Sequence, residues 1–262
     1  SRMRNPEITF DRLKMYFGDP YIIHVNDASN DLVVMQPTIG EVISFGEKEF
    51  YQTLYTFICN TTMYRLSLWN SGIDWNEISD FNLFCILYGG IDHKASKLIF
   101  PDLDFSKFQP LSMAKDGKEE LVLVDPESKY IIDENAYHHF SQYLRNVFNI
   151  FPEEKLTKDP VMKQWFIQKD KRALKREEEE MKKGKVKETY SIQPLISACI
   201  NHPGFKHKLQ DLKNIGVCEF YDSVKRLQIY ENSTALMKGI YSGFVNGKEI
   251  NPENYNFMRE IK

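Results

Sequence analysis

Several groups of side chains in this sequence have types that could do chemistry. Cys199, His202 and His207 form a C-x2-H-x4-H run, a set of ligand types suited to zinc. A structural zinc site needs a fourth ligand that the run lacks, and Cys199 lies on an apolar stripe, so a buried thiol is the simpler reading. Asp102 and Asp104 alternate. On a strand they would share one face and could hold Mg²⁺ for chemistry on nucleic acid. No lysine motif or glycine-rich phosphate loop accompanies them. Asp74, Glu77 and Asp80 gather where a helix is expected to open, and carboxylates in a first turn favour the positive end of the helix dipole. His138 and His139 are adjacent, so they point to different helix faces and cannot chelate one metal from there. His24 stands alone in an expected strand. Walker, Rossmann, zincin, C-x-x-C and nucleophile-elbow motifs are all absent. No catalytic, metal or cofactor-binding residue is assigned, no cofactor is expected, and the chain reads as a non-enzyme.

The elements that must position these residues fall into three stretches: a mixed α/β part over 1–150, a charged helical arm or linker over 151–189, and a helical part over 190–262. The chain of 262 residues is 42% hydrophobic and 27% charged, enough apolar material for a real core. Its 18 Phe and 14 Tyr supply large buried areas per side chain. A net charge of −3 argues against a polyanion-binding protein. The dispersed cysteines Cys59, Cys85, Cys199 and Cys218 read as reduced, buried thiols. No signal-like start and no long apolar run is present, so neither export nor a membrane span is expected.

The fold class expected is α+β and mainly helical, with an N-terminal β-hairpin, a small β-meander in the middle and an all-helical C-terminal subdomain. Residues 8–17 fit a short helix or a strand. Residues 21–25 and 32–35 read as the hairpin, joined by a turn-rich loop. Thr38 and Glu41 have capping-box spacing, and one helix is expected from there to about Cys59, with Gly46 marking a kink or a close helix contact. Further helices are expected from Thr61 and from Asp74. Strands follow at 121–124 and 130–132, then a helix capped by Asp133. Asp159-Pro160 opens the arm. Residues 168–188 carry nine Lys or Arg against six Asp or Glu, with Glu178–Lys182 and Glu179–Lys183 at favourable helical spacing. Interleaved acids and missing aromatics argue against nucleic acid as its partner. Ile192, Leu195, Ile196, Cys199 and Ile200 make the clearest amphipathic stripe. Shorter helices are expected around Leu209, over 217–227, after an Asn232-Ser233-Thr234 cap, and from Asn251-Pro252.

Gln36-Pro37-Thr38-Ile39-Gly40-Glu41, Gly72-Ile73-Asp74-Trp75, Asp102-Leu103-Asp104-Phe105 and, near the end, Asp222-Ser223-Val224-Lys225-Arg226, Gly239-Ile240-Tyr241-Ser242-Gly243 and Asn256-Phe257-Met258-Arg259 resemble a family encoded by tailed phages and prophages of Firmicutes. That resemblance implies a place near tail-tube and tape-measure genes and a role as a tail assembly chaperone. Such a protein would bind tape-measure and tail-tube proteins in the host bacterial cytoplasm, with homo-oligomers compatible. A virion component of the tail or baseplate is the alternative, and a metal-dependent enzyme on nucleic acid using Asp102 and Asp104 is a further one. The partner-binding residues expected are Ile192, Leu195, Ile196, Phe220, Tyr221 and Val224, on the 191–200 and 217–227 helices.

Overall fold

The computed structural model describes residues 5–185 and 192–261; residues 186–191, which include the end of the charged run and the start of the C-terminal stretch, lie outside the described residues. Asp11 caps α1 (Arg12–Phe17), its carboxylate accepting from the N–H groups of Leu13 and Lys14, which settles residues 12–17 as helix. β1 (Tyr21–Ile23) and β2 (Leu32–Val34) form the antiparallel hairpin, with Tyr21 opposite Val34. Thr38 caps α2 (Ile39–Phe45), accepting from Glu41 N–H at 3.1 Å. The single helix expected to Cys59 is instead two, because Gly46 turns to φ +116° and restarts the chain as α3 (Glu47–Ile58).

α4 (Arg65–Asn70), α5 (Asp80–Leu87) and α6 (His93–Lys97) follow. The middle sheet has three antiparallel strands in the order β3 (Gln109–Lys115), β4 (Lys118–Asp125), β5 (Tyr130–Ile132). β3 escaped the sequence reading because all seven of its residues are exposed, so it lacks alternation. α7 (Glu134–Phe148) is capped by Asp133 and α8 (Pro160–Lys182) by Asp159, as read. α9 (Gln193–Ile200), the four-residue α10 (Leu209–Leu212) and α11 (Val217–Tyr241) complete the helices. The fold is α+β and mainly helical.

α11 runs unbroken through Asn232-Ser233-Thr234, where a new cap was expected. Ser233 is buried, and its hydroxyl donates to the Asn254 carbonyl at 3.4 Å rather than accepting from backbone N–H groups as a cap would. A tertiary partner for the side chain removes the reason to leave the helix. The last expected helix is a 3-10 turn, Pro252–Tyr255, on a segment that folds back along α11.

α3 and α7 carry the centre of the core. The Phe57 ring meets Phe84, Phe100, Phe105 and Phe140 at centroid distances of 5.1–6.0 Å. Edge and tilted contacts of this kind add roughly 0.5–1.5 kcal/mol per pair beyond area burial. A second cluster gathers Leu68, Trp75, Leu83 and Ile167 beneath the start of α8. The chain from residue 152 to 170 is bonded onto it. Trp75 Nε1 donates to the Lys155 carbonyl at 3.1 Å, and Arg65 grips Asp170 with two bonds of 2.6 and 2.7 Å.

The C-terminal helices join the rest through a backbone seam. Ile39 N–H donates to Ile215 O (2.9 Å), Gly40 N–H to Lys213 O (3.1 Å) and Val217 N–H to Pro37 O (3.1 Å). Gln36 spans the seam, its amide donating to Met15 O at 2.6 Å and accepting from Cys218 N–H at 3.0 Å. A side chain on residue 40 would start 2.5 Å from the Lys213 carbonyl oxygen, so only glycine fits. Gly40→Ala is therefore expected to lower stability by about 1–3 kcal/mol through overpacking. Gly89→Ala, facing open space, should stay within about 0.5 kcal/mol. Urea unfolding of the two variants checks this.

Candidate functional site

Most of the groups singled out for chemistry are buried or engaged in structural bonds. Cys199 is buried on the core side of α9. His202 and His207 lie on the segment after it and face α11, with Nε2 3.1 Å from Glu231 and 3.4 Å from Glu219. His202 Nδ1 also accepts from Gly204 N–H at 2.9 Å. The thiol and the two imidazoles are thus not gathered around one point, and among the described residues no three His, Cys, Asp or Glu are placed to hold a metal ion.

Asp102 and Asp104 are not on a strand. Asp104 caps a 3-10 turn, Phe105–Lys107, accepting from Ser106 N–H (3.0 Å) and Ser106 Oγ (2.6 Å). The Ser106 hydrogen bond holds its carboxyl below the ordinary range. Asp102 is exposed, and the Leu103 side chain between the two is buried, which fixes the segment as a loop pinned on the core.

Asp74 and Glu77 precede α5 rather than fill its first turn, since Ser79 is the N-cap. Burial raises the Asp74 pKa, but hydrogen bonds from Lys163 and Asn76 outweigh it, so the carboxyl titrates below its ordinary value. Asp80 accepts from Thr61 N–H at 2.9 Å. His138 and His139 do point apart, to the Pro6 carbonyl (2.9 Å) and the Tyr21 hydroxyl (2.7 Å). Burial lowers the His139 pKa. His24 pairs with Asp31 in the hairpin.

The six expected partner-binding residues occupy the core side of their helices. Phe220 is fully buried and Ile192 and Val224 nearly so, while Leu195, Ile196 and Tyr221 are half-buried against the same core. Tyr221 shares a 2.8 Å hydroxyl contact with Tyr51. An i, i+3, i+4, i+7 stripe marks an apolar face, and here the molecule itself covers that face.

Sequence reasoning passed over the polar residues of the same helix. Asp222 accepts from the Tyr16 hydroxyl at 2.7 Å, Lys225 donates to Asn149 Oδ1, and Arg226 donates to the Phe257 and Arg259 carbonyls at 2.6 and 2.7 Å. Burial and the Asp222 bond push Tyr16 up to about 12. Burial and neighbouring Arg12 push Lys225 down. Asp222, Lys225, Asn149 and Arg12 rim a small recess between α1, α7 and α11. The Asp222-Ser223-Val224-Lys225-Arg226 motif therefore ties α11 to α1, to the end of α7 and to the returning C-terminal segment. Its i, i+3, i+4 spacing was the available signal.

The surface left open lies elsewhere. Along the outer half of α11 and its return segment, Tyr230, Tyr241, Phe244, Phe257 and Met258 are exposed, Phe244 at 91% and Tyr241 at 81%. Tyr230 and Phe257 stack edge to face at 5.7 Å. Residues 182–262, which contain all five, match the model of a family described as YomV second domain. That family is phage-associated. No curated protein and no solved structure matches the chain. The match begins in the last turn of α8 and takes in α9 to α11 with the seam residues they carry. None of the described helices is long and apolar enough to cross a membrane.

Burial pushes the Cys59 and Cys85 thiols up to about 12, Cys218 to about 11, and Cys199 upward. The thiolate is the reactive form, so at pH 8 Cys59, Cys85 and Cys218 should react with DTNB at least about a hundredfold more slowly in the folded protein than in the unfolded chain. Stopped-flow absorbance with and without guanidinium gives the ratio.

Proposed function

We propose that this chain is a non-enzymatic, protein-binding component of phage tail morphogenesis, acting as a tail assembly chaperone for tape-measure and tail-tube proteins. The observation that carries the reading is the exposed apolar end of α11. Tyr241, Phe244 and Met258 are each more than 70% exposed within the segment that matches the phage-associated family. Large apolar side chains left in water cost free energy that a partner's apolar surface recovers, and a chaperone needs such a surface open. The titratable groups support the same reading, because His202, His207, Asp104 and Asp80 are engaged in pairing with α11, capping a turn or bonding between segments.

Replacing Tyr241 and Phe244 by Ser removes apolar area from the partner face and leaves the core untouched. Affinity for co-expressed tape-measure protein is expected to fall by at least about tenfold, since burying one such side chain contributes about 1.5–3 kcal/mol. The melting temperature should be unchanged. Bio-layer interferometry and a thermal melt on the same variant check both. Purified virions should lack the protein by mass spectrometry; its presence at stoichiometric levels would make it a tail or baseplate component instead.

A further inference from the structure

The free half of α8 has a charge pattern that fits a second copy of itself. Up to Asp170 the helix is held by buried Ile167, by the Arg65–Asp170 pair and by Arg65 over the Phe166 ring at 4.6 Å. From residue 171 to 185 every residue is exposed. In that exposed stretch four cations between Lys171 and Arg176 are followed by four consecutive glutamates, Glu177 to Glu180. The boundary between the blocks falls at the midpoint of residues 171–182. The i, i+4 pairs read from the sequence, Glu178–Lys182 and Glu179–Lys183, do not close: among the described residues none of these charged groups makes an ion pair within 4 Å. Exposed pairs of long side chains gain little against the rotamer entropy they lose, so the charges stay available. Leu174 (48% exposed) and Met181 (62% exposed) sit seven residues apart on one side of the same stretch.

We infer that α8 is a self-association element, pairing antiparallel with the α8 of a second copy about the Arg176–Glu177 boundary. Antiparallel pairing sets the cations of each arm against the glutamates of the other and brings Leu174 of one copy within a turn of Met181 of the other. Parallel pairing sets like charges together and is disfavoured. Antiparallel arms also place the two bodies at opposite ends, where they do not collide. Three turns of helix bury an interface at the small end of the range, below about 1,200 Å², so the dimer is weak and reversible. Its charge pairs make it salt-sensitive.

Sedimentation equilibrium of the full chain across the micromolar range tests this. The wild type should move from the 30.8-kDa monomer towards twice that mass in low salt and revert in high salt. Lys175→Glu/Arg176→Glu and Glu178→Lys/Glu179→Lys should each weaken self-association by at least about tenfold, several exposed pairs turning from attraction to repulsion. An equimolar mixture of the two variants should restore a dimer containing one of each. Both variants alter fully exposed positions, and unchanged melting curves confirm that they fold. A wild type that stays monomeric throughout overturns the inference, as does a dimer indifferent to both reversals or a mixture that fails to pair.

Discussion

The arrangement of this protein depends on a short stretch of backbone pairing between residues 36–40 and 213–218. Three main-chain hydrogen bonds and the Gln36 amide close it, and Gly40 lets the two backbones approach where a Cβ would strike the Lys213 carbonyl. Polar backbone buried at a junction must find partners, and here each half supplies the other's. The seam sets where α11 begins, and hence which side of α11 faces α1 and α7. From that follow the burial of Phe220 and Val224, the Tyr51–Tyr221 contact, and the bonds from Asp222 and Lys225 to Tyr16 and Asn149. The end of α11 beyond about Tyr230 extends past these contacts, which is why its aromatic side chains remain open.

α8 has the opposite construction. Half of it is fixed by a buried isoleucine, a bidentate Arg–Asp pair and a cation–π contact, and the other half has no apolar anchor among the described residues. Its helicity is propagated from the docked end, with strong helix formers throughout the free part, since the costly nucleus is already made. A single continuous element thus serves as both scaffold and free surface. The change from one to the other comes at Asp170, the last residue tied to α4.

The groups that looked reactive in the sequence are absorbed by structure for a common reason. Short polar side chains satisfy backbone N–H groups, nearby as Asp104 does with Ser106, or on another segment as Asp80 does with Thr61. The imidazoles of His202 and His207 face α11 carboxylates and hold the segment between α9 and α10 against it. What remains open on the surface is apolar or carries blocks of charge, features suited to partners rather than to bond making.

Much of the fold was legible in the sequence, because caps and periodicity are local. Asp133, Asp159 and Thr38 named their helices, the hairpin and the last two strands of the meander followed from β-rich runs between turns, and the 192–200 stripe found the core-facing side of α9. Periodicity marks a face as apolar without saying what covers it, so Ile192, Leu195, Ile196, Phe220, Tyr221 and Val224 read as a partner surface although the chain's own core packs against them. Long-range contacts also decided the continuation of α11 through Asn232-Ser233-Thr234 and the loop state of Asp102 to Asp104. In both, residues distant in sequence supplied the hydrogen bond or the packing that local preference left undetermined. The sequence by itself determined which segments could be helices and where charge collects; the tertiary structure alone decided which faces are spent on the core and which remain for another molecule, because burial is a property of the packed chain and not of any one segment.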